Sequence, residues 1–357
     1  MIRRATLLIG VFVVMALSNG VVPVLPALAV GPALQSAIFS GYFFGAFVTV
    51  LPAGILSDRI GKVRLIRTGL ALTLVTGACI MVVDDPFLVV GARVIEGVGA
   101  GLFVPSAMSW INALPDHVRM SGNYFASLNV GLLGGMVGSG WLADMTGVSL
   151  AGVAAFTAAT SVPLLLSVFL REPGADTQME ADFVRIVREY VWLFAATVAL
   201  VGVTGVVTTL YPEFTGINPS LVSVQIGLMN LATIVTVLVA SRMDLEPVPT
   251  IRVAALAMAG AVIASYFTSV GLIAVGAVAG FVIISQMTFL ARTGIRQGVM
   301  MGLFNTSAYG GMTVLPFLAG VVAEKVSFLS AFLLFALVAM TMAVTIGRCA
   351  CAPPVTR

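Results

Sequence analysis

The chain of 357 residues is 59% hydrophobic and only 9% charged, with a formal net charge of +3. Soluble domains carry about 25% charge, so a mean hydropathy of +1.10 excludes a surface built for water. No basic stripe with interleaved aromatics occurs, which argues against a nucleic-acid partner. The single His117 lies in a short polar loop, and the three cysteines are Cys79, Cys349 and Cys351. This leaves little scope for a metal centre or a serine–histidine pairing, so neither an enzyme nor a cofactor is expected.

Apolar runs near the roughly 20 residues that cross a bilayer follow one another along the chain. They fall at 5–28, 34–56, 65–83, 86–112, 121–142 and 147–170, and then at 191–212, 219–241, 251–269, 271–291, 297–320 and 326–347. The break between the ninth and tenth is the weakest, because no charge separates Ser269 from Gly271. The first run, with Arg3 and Arg4 before it and Ala27-Leu28-Ala29 at its end, also has the form of a signal peptide. Cleavage would leave an odd number of spans and an unpaired first half. The polar stretch at 171–190 includes FVRIVREY, which reads either as a surface helix or as a solvated linker.

The placement of charge supports this count. With the N-terminus inside, every Lys and Arg except Arg93 and Lys325 falls in an inside loop or at an inside terminus. Both termini are then cytoplasmic, and the protein is expected in the cytoplasmic membrane. A miscounted span would spoil this separation.

The two halves look related. Asn129-Val-Gly-Leu-Leu-Gly134-Gly135-Met136 recurs as Asn305-Thr-Ser-Ala-Tyr-Gly310-Gly311-Met312, in the fifth and eleventh spans. The expected fold is all-α and membrane-integral, with twelve helices in two six-helix bundles. The bundles are expected at 1–170 and 191–357, joined by a linker at 171–190. Such duplication suits a transporter with its site at the interface of the halves.

The loop after the second span reads GILSDRIGKVRLIR. Gly54 permits close helix contact and Gly61 a tight turn. Asp58 ends a helix on the inner side, and Arg59, Lys62 and Arg64 anchor the loop, with Asp116 a candidate acid partner. This loop resembles the signature of the major facilitator superfamily, Gly-x-x-x-Asp-Arg-x-Gly-Arg/Lys-x-Arg/Lys. The resemblance implies a latch that helps set the inward/outward equilibrium. The corresponding second-half loop, ASRMDLEPVPTIR, keeps Asp244 and Arg252 but has Pro247 in place of the glycine.

The fourth span, GARVIEGVGAGLFVP, carries Arg93 and Glu96, the only charges set well inside a span. Each costs about 2.5–3.5 kcal/mol at a helix centre. Three residues apart, they share a helix face. They read either as a mutually neutralised brace, or as a proton site in which Glu96 takes up and releases a proton and Arg93 tunes it. Arg93 with Gly97 also resembles the family's Arg-x-x-x-Gly motif. The fifth span partly resembles the glycine-rich antiporter motif, matching at Gly134 and Gly138, with Gly135 and Ser139 departing from it. Gly97, Gly134 and Gly138 are expected at helix contacts. Pro23, Leu25 and Pro26 resemble the Pro-x-Leu-Pro segment of drug exporters, although the membrane acid of that helix is absent and Asn19 is the nearest polar residue.

Polar residues expected to line a substrate cavity are Asn19, Tyr42, Asn129, Gln225, Asn230, Gln286, Asn305 and Tyr309, with Glu213 a candidate gate. The resemblance and these residues imply a proton-coupled exporter of small amphipathic compounds, monomeric in the bilayer. An importer or facilitator of a neutral sugar or amino acid is the alternative.

Overall fold

The computed structural model describes residues 2–172, 183–293 and 297–348, apart from the side chains of 54, 55, 57–59, 117, 118, 183, 184, 297–299 and 348. The helices are α1 (Ile2–Gly20), α2 (Leu25–Leu28), α3 (Pro32–Ile60), α4 (Lys62–Val82), α5 (Pro86–Asn112), α6 (His117–Thr146) and α7 (Ala151–Leu166). They continue with α8 (Phe183–Glu189), α9 (Val191–Thr215), α10 (Pro219–Ala240), α11 (Pro247–Phe267), α12 (Val270–Arg292), α13 (Gln297–Lys325) and α14 (Phe328–Thr345). No strand occurs among the described residues. Among the described residues there are 12 spans long and apolar enough to cross a membrane, each within a few residues of its expected place.

The local chemistry explains most boundaries. Pro32, Pro86, Pro219 and Pro247 each open a helix, where the missing N–H would be unpaired anyway. Pro23 and Pro26 break the first span into α1, a 3-10 turn at Val22–Val24 and α2. The weak break between the ninth and tenth spans is a two-residue connection. Thr268 is extended and ends α11, and Gly271 lies so close to the backbone of Ala264 and Ser265 that a Cβ would overlap it. FVRIVRE within the polar stretch forms α8.

The chain divides into two compact units, Met1–Gln178 with Thr215–Val224, and Met179–Phe214 with Gln225–Arg357. In the first, α5 packs against α3 and α4, and α1 against α6 and α7. Leu7 and Val11 of α1, Ile66 and Leu70 of α4, and Phe103 and Trp110 of α5 share one buried cluster. This unit also takes in the start of α10, where Ser220 Oγ donates to Asp144 and Gly140 faces Pro219 O and Ser223. In the second unit α11 packs against α12 and α14. Phe214 stacks on Tyr266 at 4.8 Å, and Phe332 closes the cluster from α14. Large apolar side chains such as Val75, Leu165, Val253 and Leu337 face outward, as a lipid-facing surface requires.

Glycines set the helix spacing, and they repeat between the units. A Cβ on Gly97 of α5 would overlap Tyr42 O of α3, and one on Gly276 of α12 would overlap Met229 O of α10. One turn on, Gly101 lies against Thr49 and Gly280 against Thr236. Likewise Gly135 of α6 lies on Ala16 O of α1, and Gly311 of α13 on Val198 O of α9. Gly135 and Gly311 are the residues paired in the sequence repeat, and both let a fifth helix touch the first helix of its own unit. The close approach is therefore at Gly131 and Gly135. At Gly134 a Cβ would make only ordinary contact with the Phe12 ring, at 3.7 Å, and at Gly138 it would be held 3.3 Å from Phe156. The small Ser139 is what admits α7 at Gly152.

Replacing Gly135 or Gly311 by Ala is expected to cost about 1–3 kcal/mol through overpacking. Gly91→Ala, at a position with nothing within 4 Å, is expected to be neutral. Thermal unfolding of the purified protein in detergent, compared across the three variants, checks the difference.

Candidate functional site

Arg93 and Glu96 are buried within the first unit. Arg93 Nη1 donates to Glu96 Oε2 at 2.7 Å, and both side chains are 1% exposed. The guanidinium also donates from Nη2 to Ser18 O of α1 at 3.1 Å and from Nε to Ile38 O of α3 at 3.4 Å. Its remaining face lies over the Tyr42 ring, 4.7 Å from the centroid, in cation–π range. One side chain thus joins three helices. The α5 backbone brings this about: Gly97 lets α3 come close, and Arg93, one turn earlier, then reaches Ile38 O of α3.

Glu96 is less well provided. Its Oε1 is buried and has no hydrogen-bond partner among the described residues. A carboxylate oxygen without a partner in an apolar interior is costly.

The second unit serves as an internal comparison. Aligning Gly97 on Gly276 and Gly101 on Gly280 places Leu272 at the position of Arg93 and Val275 at that of Glu96. Both are 0% exposed. The same helix crossing is therefore made with apolar residues where no charge pair exists.

The other expected residues are more dispersed. Tyr42 lies beneath Arg93, and Asn19 turns the other way to donate to Leu132 O of α6 at 3.4 Å. Asn129 and Asn230 donate to their own helices, at Phe125 O and Ile226 O. Asn305 is exposed on α13, with the half-buried Tyr309 one turn on. Gln286 of α12 is wholly buried, and neither of its side-chain atoms has a partner among the described residues. Tyr211 donates to Gln225 at 2.7 Å, next to Glu213.

The stretch expected as a loop is mostly helix: Gly54, Asp58 and Arg59 fall in the last turns of α3, which ends at Ile60, and Lys62 and Arg64 in the first turn of α4. The side chains of Asp58, Arg59 and His117 lie outside the described residues, as do the whole of Arg296, Cys349 and Cys351. Gly61 has φ +100 and begins α4, Lys62 is buried and Arg64 is exposed. Among the described residues Asp116 pairs with Arg4, at 2.8 Å, because α1 and the start of α6 meet at the same end of the unit. Among the described residues, an acid that reaches the start of α4 is Glu172, absent from the sequence expectations. It accepts from Lys62 N–H and Val63 N–H. No local pattern marks it, since the contact joins residues far apart in the chain. In the second half Asp244 lies 3.9 Å from Arg292, and Pro247 opens α11 where α4 has Gly61 before it.

Arg93→Leu or Glu96→Ala alone is expected to lose about 3–5 kcal/mol, because each leaves a buried charge unpaired. The double variant Arg93→Leu/Glu96→Val, which copies the second unit, is expected to unfold at a higher temperature than either single variant. Thermal unfolding of all four proteins tests the comparison.

The backbone trace resembles two crystal structures of the nucleoside transporter NupG. One, of a mutant, superposes with a TM-score of 0.77 at 14% identity over 98% of this chain and 100% of that one. The other gives 0.72 at 16% identity over 97% and 98%. At such identities the likeness establishes the fold alone. An uncharacterized MFS-type transporter of Mycobacterium tuberculosis is 30% identical over 148 residues, which is 40% of this chain and 26% of that relative's length. The sequence profile of the Major Facilitator Superfamily matches residues 7–314. With that match, the duplicated helix contacts and the twelve spans, the chain belongs to the Major Facilitator Superfamily.

Proposed function

We propose that the protein is a secondary transporter that moves a small organic solute across the cytoplasmic membrane by alternating access, with both termini inside. The observation that carries this reading is the buried Arg93–Glu96 pair, placed where the second unit has Leu272 and Val275. A pair that packing does not need, in a span where each charge is costly, is retained for its chemistry. Glu96 is the proton acceptor. When it is charged, Arg93 is bridged to it and to the carbonyls of Ser18 and Ile38. When it takes a proton the ion pair is lost, and Arg93 keeps only those carbonyls and the Tyr42 face. Protonation thereby changes how firmly α5 is tied to α1 and α3.

The substrate is small and amphipathic, since fixed charges in the spans are few and a phosphate ester would want several cations. Asn19, Tyr42, Asn129, Asn230, Gln286, Asn305 and Tyr309 are the polar groups offered to it. Export in exchange for protons fits the partial antiporter pattern of the fifth span and the Pro-x-Leu-Pro segment of the first. The loop of Gly54, Asp58, Arg59, Gly61, Lys62 and Arg64 acts as the latch of the transport cycle. The protein works as a monomer.

Reconstitution in liposomes with an imposed pH gradient tests this. Lipophilic cations, neutral drugs, nucleosides and common metabolites are screened for movement. The expected outcome is gradient-driven movement that Glu96→Gln abolishes while substrate binding survives. Movement that ignores the gradient and persists in Glu96→Gln would make the protein a facilitator and the pair a structural one.

A further inference from the structure

The end of the sixth span is held by groups that the transport reading does not use. Helix α7 stops at Leu166, and a single turn at Ser167–Phe169 leads on to Arg171 and Glu172. The last carbonyls of a helix have no partner within it. Here side chains from three other helices take them. Arg67 of α4 donates to Ser167 O at 3.0 and 3.2 Å and to Val168 O at 3.3 Å. Arg3 of α1 donates to Phe169 O at 3.0 Å, and the Trp110 indole of α5 to Arg171 O at 2.9 Å.

Glu172 completes the arrangement in the opposite sense. Its Oε2 accepts from Lys62 N–H at 3.1 Å and its Oε1 from Val63 N–H at 2.9 Å. These amides begin α4, which has no side-chain cap from its own N-cap residue, Gly61. Two donors that the helix leaves unpaired meet one carboxylate, and the helix dipole adds to the attraction. Gly61 is fitted to this partner: at φ +100, a Cβ there would lie 2.6 Å from Glu172 Oε1. The sixth span is thus clamped by Arg67 and in return caps the helix that carries Arg67.

We propose that Glu172 is a positioning residue for the α3–α4 loop. By capping α4 from the end of the sixth span, it sets where Gly61, Lys62 and Arg64 stand. It also couples that loop to the segment by which the chain leaves the sixth span. The consequence for transport rests on the latch role proposed above, whereas the positioning stands on the hydrogen bonds themselves.

Hydrogen–deuterium exchange on the full-length protein in nanodiscs tests the proposal, using Glu172→Ala and Glu172→Gln. The amides of Lys62 and Val63 are expected to exchange about fivefold faster in Glu172→Ala, the usual scale of a lost helix cap. Glu172→Gln, which keeps an acceptor oxygen, should lie between this and the parent. Exchange across 66–80 should not change. Unchanged exchange at 62–63, or faster exchange throughout α4, would overturn the proposal. In parallel, Asn129→Cys, with Cys79, Cys349 and Cys351 replaced by Ser, is labelled with an impermeant maleimide in vesicles of either orientation. A shift in sidedness with Glu172→Ala supports positioning and latch together. Local amide release with unchanged sidedness supports the positioning and removes the latch role.

Discussion

A bilayer offers no water to backbone N–H and C=O groups, and the rest of this structure depends on that constraint. It makes every span a helix and also removes the usual driving force for joining helices, since lipid is as apolar as Leu. Association must come from close contact. Here contact is made where glycine lets one helix rest on a carbonyl of another: Gly97 on Tyr42 O, Gly276 on Met229 O, Gly135 on Ala16 O and Gly311 on Val198 O. The crossings match in the two units although most surrounding residues differ.

Against this apolar framework the Arg93–Glu96 pair stands apart. A buried ion pair contributes little net stability, because desolvation offsets most of the attraction. Arg93 is well satisfied, with three hydrogen-bond acceptors and an aromatic face. Glu96 is satisfied on one oxygen only. The two partners of the pair are therefore unequally satisfied. Arg93 ties Glu96, through one side chain, to α1 and α3 as well as to their own helix.

The ends of the helices obey the same accounting at a wetter boundary. Where α7 stops and α4 starts, their unpaired carbonyls and amides are met by Arg3, Arg67, Trp110 and Glu172 rather than by caps from adjacent residues. Short loops leave few local capping residues, so neighbouring helices supply them. One end of the first unit is bound together as a result, from α1 through α7.

The sequence alone determined the spans, because length and apolarity are what lipid selects and both are local properties. It determined the family through the loop of Gly61, Lys62 and Arg64, and it singled out Arg93 and Glu96, since charge within a span is conspicuous. It also showed the repeat at Gly135 and Gly311. The tertiary structure decided what those residues meet. It put Asp116 on Arg4, moved the close approach from Gly134 to Gly131 and Gly135, and brought Glu172 to α4. The glycine contacts of the two crossings identified Leu272 and Val275 as the apolar counterparts of the charged pair. The reason is the same in each case: a hydrogen bond or a glycine contact depends on distances between helices, and those are set by packing partners far apart in the chain.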